Sequence, residues 1–254
     1  MATITEIAQD TYRINIEVPG KPVTFSFFLI DDDAPTLVET SYRRLFDETI
    51  AAVRRIIDPT TLRYVVIPHF EGDECGALNL FLETAPQAVP ICSPTGANTS
   101  IPDFAIREPM RVDEESRLDL GRHQLRFLIT PYVHAWDSML AYDDTTRTLF
   151  SSDLFLQPGT GPAIAERDVS EEMIDYTRSI GLFPSQSHLL AALDKIETLR
   201  PQTLACHHGS VKAAGVANYL RAFREHDVTG LVPADPVHTA VSPPCGQRAE
   251  RRPF

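Results

Sequence analysis

The stretch from Val65 to Gly76, VVIPHFEGDECG, starts as an apolar β-strand and ends, within six residues, in one histidine and three carboxylates. Mutual repulsion and desolvation both oppose such a cluster at the end of a buried strand. A fold that keeps it there needs a positive partner that the sequence itself does not supply.

The same placement recurs along the chain. Gln124 to Thr130, Thr148 to Ser151 and Thr203 to Ala205 read as strands, and each is followed by a nitrogen or oxygen donor: His134, Asp153 and His208. His69, Glu71 and Asp73 alternate after the strand Leu62 to Ile67. If those strands are neighbours, the six side chains meet. Around them the reading places a hairpin of Tyr12 to Val18 with Thr24 to Ile30, turned by Pro19-Gly20, and a short strand from Thr36 to Thr40. Ala88 to Cys92 and Ser138 to Tyr142 are further strands. Helical periods run over Leu45 to Ile57, Gly76 to Leu82, Glu171 to Ile180, Gln186 to Leu199 and Asn218 to Glu225. This order predicts an α+β chain, a single-domain αββα layered sandwich over residues 1–232. Residues 233–254, with five prolines, are expected to form an extended tail.

Composition narrows the function. The 254 residues carry a formal charge of −12, which disfavours nucleic acid and anionic membranes as partners. The N-terminal residues form neither a basic nor an apolar leader, and no run is long and apolar enough to span a bilayer, so a cytoplasmic location is expected. Cys75, Cys92, Cys206 and Cys245 have no CxxC spacing; reduced thiols are the expectation.

HFEGDE at 69–74, YVHAWDS at 132–138, LFSSDLF at 149–155 and HHGS at 207–210 together resemble the metallo-β-lactamase superfamily, and more closely the di-iron domain of flavodiiron proteins, over roughly residues 4 to 230. The resemblance implies one iron on His69, Glu71 and His134, a second on Asp73 and His208, and Asp153 bridging them. His208 is preferred to His207 because the family's ligand directly precedes glycine. Glu74 stands where the family motif has a second histidine, and whether it ligates is left open. Leu156 replaces a commonly seen glycine, which implies a different loop over the metals. No flavodoxin domain follows the sandwich, so no flavin is expected in this chain.

The donor chemistry points the same way. Zinc hydrolases of this superfamily use HxHxDH, whereas Glu71 occupies the middle position here, and a carboxylate-rich set suits iron or manganese better than zinc. Two divalent ions would neutralise Glu71, Asp73, Asp153 and Glu74. The opposing reading, a solvated turn with Asp73 as a helix N-cap, explains HxExD alone but not the three further donors. Asp137 is expected to orient a ligand or to cap a turn, His207 to be a structural neighbour of the site, and Cys206 to be inert packing. Phe70, Tyr132 and Trp136 are candidates to wall an oxygen pocket, with at least one of them ordinary core. His123, His188, His226 and His238 are expected at the surface or as caps, and Asp113-Glu114-Glu115 as a solvated loop.

The expected function is a non-haem di-iron protein that binds dioxygen or nitric oxide. It either reduces them with electrons from a separate donor protein or acts as a sensor or carrier. The family resemblance leaves room for a homodimer. The competing class is a binuclear zinc hydrolase.

Overall fold

A computed structural model describes residues 2–229; the proline-rich tail, His238 and Cys245 lie outside them. Two sheets pack face to face with helices on both outer faces. The first contains β1 (Thr3–Ala8), β2 (Thr11–Glu17), β3 (Thr24–Ile30), β4 (Thr36–Val38), β5 (Tyr64–Val66), β6 (Val89–Cys92) and β7 (Met110–Arg111), in that spatial order. Its pairing is antiparallel through β4 and parallel from β4 onward. The second contains β8 (Arg117–Asp119), β9 (Gln124–Ile129), β10 (Met139–Asp143), β11 (Thr148–Ser152) and β12 (Thr203–Cys206), in the order β12-β11-β10-β9-β8. The layered sandwich expected from the sequence is the fold observed.

Strand alternation builds the layers. In β3, Phe27 and Leu29 face the helices α1 (Phe46–Val53) and α3 (Leu78–Thr84), meeting Ile50, Val53, Phe81 and Leu82. Phe28 and Ile30, one residue out of phase, face the second sheet and meet Phe127, Met139 and Phe150. On the far side, Leu140, Leu149 and Leu204 pack under α6 (Ser170–Ile180), α7 (Gln186–Leu199) and α8 (Val216–Glu225), against Met173, Leu193 and Phe223. Each such buried side chain contributes about 1.5–3 kcal/mol, so β3, buried on both faces, is a central staple of the sandwich.

Local chemistry moves some boundaries. The helix predicted over Leu45 to Ile57 is shorter: a 3₁₀ turn, Arg43–Leu45, leads into α1, which stops at Val53 ahead of Asp58-Pro59. The helix predicted over Gly76 to Leu82 is α3, and the short α2 (Gly72–Cys75) ahead of it was not foreseen; Asp73 lies inside α2 rather than capping it. Sequence reading missed β1, β7, β8 and two short helices, α4 (Pro94–Asn98) and α5 (Ile101–Phe104).

His123 is a correction. Expected at the surface or as a cap, it is buried, with Nδ1 2.8 Å from Asp143 Oδ2 and its N–H donating to Asp32 Oδ2. Pairing of β9 with β10 sets Leu125 opposite Asp143, which brings the neighbouring histidine to that carboxylate. His188 and His226 are exposed, as expected. Cys75, Cys92 and Cys206 are free and buried, and burial pushes each thiol up to about 12. Among the described residues no helix is long and apolar enough to cross a membrane.

Candidate metal centre

β9, β11 and β12 run in the same direction, because β9 and β11 both pair antiparallel with β10 and β12 pairs parallel with β11. Their C-terminal ends therefore share one edge of the second sheet and deliver His134, Asp153 and His208 there. β5 brings His69 from the other sheet, and the Met139 N–H donates to the Pro68 carbonyl across the seam. All seven residues proposed as ligands converge at this seam.

They form two groups joined by a carboxylate. Potential ligand atoms of His69, Glu71, His134 and Asp153 lie within 4.8 Å of one another, as do those of Asp73, Glu74, His207 and His208. Asp153 Oδ2 is 2.8 Å from His134 Nε2 and 3.5 Å from His69 Nε2, while its Oδ1 is 3.2 Å from His208 Nε2. Glu71 Oε2 is 3.3 Å from His69 Nε2 and 3.4 Å from His134 Nε2, and Asp73 Oδ2 is 3.6 Å from His208 Nε2. Glu74 is fully buried between the groups, with Oε2 3.7 Å from His69 Nε2 and Oε1 3.9 Å from His207 Nε2. The Glu71 side chain is 49% exposed, so the first group opens to solvent and the second does not.

Three of the four imidazoles are held by Nδ1 and aimed by Nε2. His69 Nδ1 meets Ser152 Oγ at 3.4 Å, His208 Nδ1 meets the Thr24 carbonyl at 2.8 Å, and His207 Nδ1 meets Glu39 Oε2 at 2.8 Å. Glu39 and the Thr24 carbonyl were missed from the sequence. Glu39 follows β4 as the other donors follow their strands, and that signal was present.

The backbone that carries these residues is itself braced. Asp137 is buried and Oδ2 accepts the Phe70 N–H at 3.0 Å, fixing the link between His69 and Glu71 without touching an imidazole. The buried Arg13 donates to the Gly209 carbonyl at 2.6 Å and so steadies the His207-His208-Gly209 turn. Gly209 sits at φ +107°, and a Cβ there would lie 2.5 Å from Gln157 Cβ. Gly209→Ala is therefore expected to cost about 2–4 kcal/mol, a fall in Tm of about 5–15 °C by calorimetry, with loss of metal from the second group.

Phe70, Tyr132 and Trp136 correct the sequence reading: all three are exposed, Trp136 by 54%, and none is core. Phe70 lies edge-on to Phe104 and Tyr132 to His188. Leu156 is buried, with its N–H donating to the Asp153 carbonyl.

The electrostatics are those of a cation site. Burial, reinforced by Asp153, Asp73, Glu39 and Glu71, pushes the Glu74 carboxyl well above its ordinary range. Hydrogen bonds from His134 and His69 hold Glu71 down to about 2. Burial acts to lower His134, but Asp153 and Glu71 outweigh it and raise the ring to about 10. His207, buried beside His208, falls to about 4. Four buried atoms in this space, Glu74 Oε1 and Oε2, Asp153 Oδ1 and His207 Nε2, have no hydrogen-bond partner. Each such orphan costs about 1–3 kcal/mol, more when charged, and together they fit a pair of cations.

Comparison with known proteins places this centre in a family. The metal-soaked Flv1 flavodiiron core from Synechocystis sp. superposes with a TM-score of 0.79 at 27% identity, covering 88% of this chain and 60% of that one. Diflavin flavoprotein A 1 from Synechocystis sp. is 27% identical over 232 residues, 88% of this chain and 40% of the relative. A nitric oxide reductase from Moorella thermoacetica is 30% identical over 200 residues, 74% of this chain and 49% of the relative. The chain thus spans about two fifths to half the length of these curated relatives. A family model described as ODP family beta lactamase matches residues 23–209, most of the sandwich and every residue of the centre, and the chain belongs to that family.

Proposed function

We propose that the chain is a non-haem di-iron protein that binds dioxygen or nitric oxide and passes electrons to it from a separate donor. The observation that carries this reading is the doubled donor group: two sets of imidazoles and carboxylates share Asp153, whose two oxygens face one set each. His69, Glu71 and His134 would hold the first ion, Asp73 and His208 the second, with Asp153 between them and Glu74 reaching toward both. Four carboxylates balance two divalent charges, and oxygen-rich sets suit iron or manganese better than zinc. The names of the relatives, diflavin flavoproteins and a nitric oxide reductase, support redox chemistry over hydrolysis.

A pair of ferrous ions held by these residues would supply two electrons to a bound diatomic ligand. The protein's own part is to set where that ligand enters and to hold protons near it. Glu71 and His134 border solvent while Asp73, Glu74 and His208 are buried, so access comes from the first group's side. The chemistry requires a reductant, and an electron donor that docks near the centre is the partner this reading calls for. A homodimer would be one way to bring that donor to the centre.

The test is consumption of dioxygen or nitric oxide by protein reduced anaerobically with an artificial donor. Iron-loaded protein is expected to consume one of the two gases in proportion to its iron content, and zinc-loaded protein neither. Gas consumption independent of iron, or ester or thioester hydrolysis by the zinc form, would overturn the proposal.

A further inference from the structure

We infer that His207 is a protein ligand of the second ion, supplying from the end of β12 the imidazole that Glu74 displaces from the HxExDH pattern. This rests on the two-ion reading above and assigns a side chain that the family pattern does not use.

His207 is completely buried, and its two nitrogens face different surroundings. Nδ1 is 2.8 Å from Glu39 Oε2, so an Nδ1–H donates to that carboxylate and leaves the Nε2 lone pair free. Nε2 has no hydrogen-bond partner and lies 3.9 Å from both Asp73 Oδ2 and Glu74 Oε1. A structural histidine would spend that nitrogen on a neighbour, since a buried unpaired polar atom costs about 1–3 kcal/mol.

The spacing discriminates further. Donors bound at about 2.1 Å to one ion stand about 3–4 Å apart. Asp73 Oδ2 is 3.6 Å from His208 Nε2 and 3.9 Å from His207 Nε2, and the two rings meet edge to face with centroids 4.4 Å apart. Both imidazoles therefore converge on the same carboxylate oxygen.

Glu39 completes a carboxylate–histidine–metal relay of the kind that fixes tautomer and ring orientation. It is itself buried, and it adopts φ +65°, a conformation that an unbranched, non-glycine residue holds only where its surroundings impose it. Swapping the ligand from the helix to the strand end restores two imidazoles per ion, His69 with His134 and His207 with His208.

The test uses the full chain loaded separately with iron(II) and cobalt(II), metal counted by elemental analysis and pairing read by EPR and visible absorption. Wild type is expected to hold two coupled ions and His207→Ala one, with the uncoupled spectrum of an isolated ion. Glu39→Gln, which removes only the orienting charge, should keep both ions but release the second to a chelator about 10–100-fold faster. That variant carries the test if His207→Ala does not fold. Two coupled ions in His207→Ala with wild-type release, or unchanged release in Glu39→Gln, would overturn the assignment. A wild type that pairs cobalt but not iron, with His207→Ala reduced to one cobalt, would retain His207 as ligand while removing the di-iron reading. A wild type that binds neither metal removes both.

Discussion

Asp153→Ala is expected to purify with almost no metal, whereas Glu71→Ala keeps the inner ion. Asp153 is the side chain whose two oxygens face opposite groups, Oδ2 toward His134 and His69 and Oδ1 toward His208. On the two-ion reading, removing it would take one ligand from each ion and leave the buried imidazoles and carboxylates without their shared anion. Histidine contacts hold its carboxyl well below the ordinary range against the opposing effect of burial, so it is ionised and ready to bind across the working pH range. Glu71 is half exposed and touches His69 and His134, so its loss is confined to the outer ion. Elemental analysis of the two variants beside wild type checks the contrast; equal metal loss in both contradicts the bridging role.

Glu74→Gln should change stability in opposite directions with and without metal. In the loaded protein it removes an anionic donor from a buried site, a loss of about 3–5 kcal/mol by analogy with breaking a buried ion pair. In protein stripped by a chelator, Glu74 is a buried carboxyl without a hydrogen-bond partner, raised well above its ordinary range first by burial and then by Asp153 and Asp73. Above the unfolded value the unfolded chain releases this proton while the folded chain keeps it. The stripped wild type therefore loses stability as pH rises from about 4.5, by up to about 1.4 kcal/mol per pH unit from this group, until the folded carboxyl also ionises. Glu74→Gln lacks that component, so the stripped variant should overtake stripped wild type as pH climbs. Thermal unfolding from pH 5 to 8, with and without metal, measures both signs. Parallel curves for the two stripped proteins would show that Glu74 does not carry the buried charge.

The centre was legible in the sequence because its donors follow strands. A β-strand read from its alternation also fixes where its end lies, and His69, His134, Asp153 and His208 each stand just past such an end. The hairpin of β2 and β3 was legible for the same reason, with Pro19-Gly20 marking its turn. Other features depend on partners far away in the chain. His207 looked structural because local pattern favours the residue before glycine; its role depends on Glu39, 168 positions away. His123 looked exposed because nothing near it shows that β10 brings Asp143 alongside. Phe70, Tyr132 and Trp136 looked like wall or core because aromatic residues usually bury, yet they lie in loops that leave the sandwich at its edge. The short elements β7, β8, α4 and α5 carry too few residues for a period to be read.

Mössbauer spectroscopy on protein expressed with ⁵⁷Fe tests the central claim most directly. The account predicts two irons per chain that are magnetically coupled, because the two donor groups share Asp153, with both converting to ferrous on reduction. A single isolated iron, or a chain that retains two zinc ions and excludes iron under the same conditions, would contradict it.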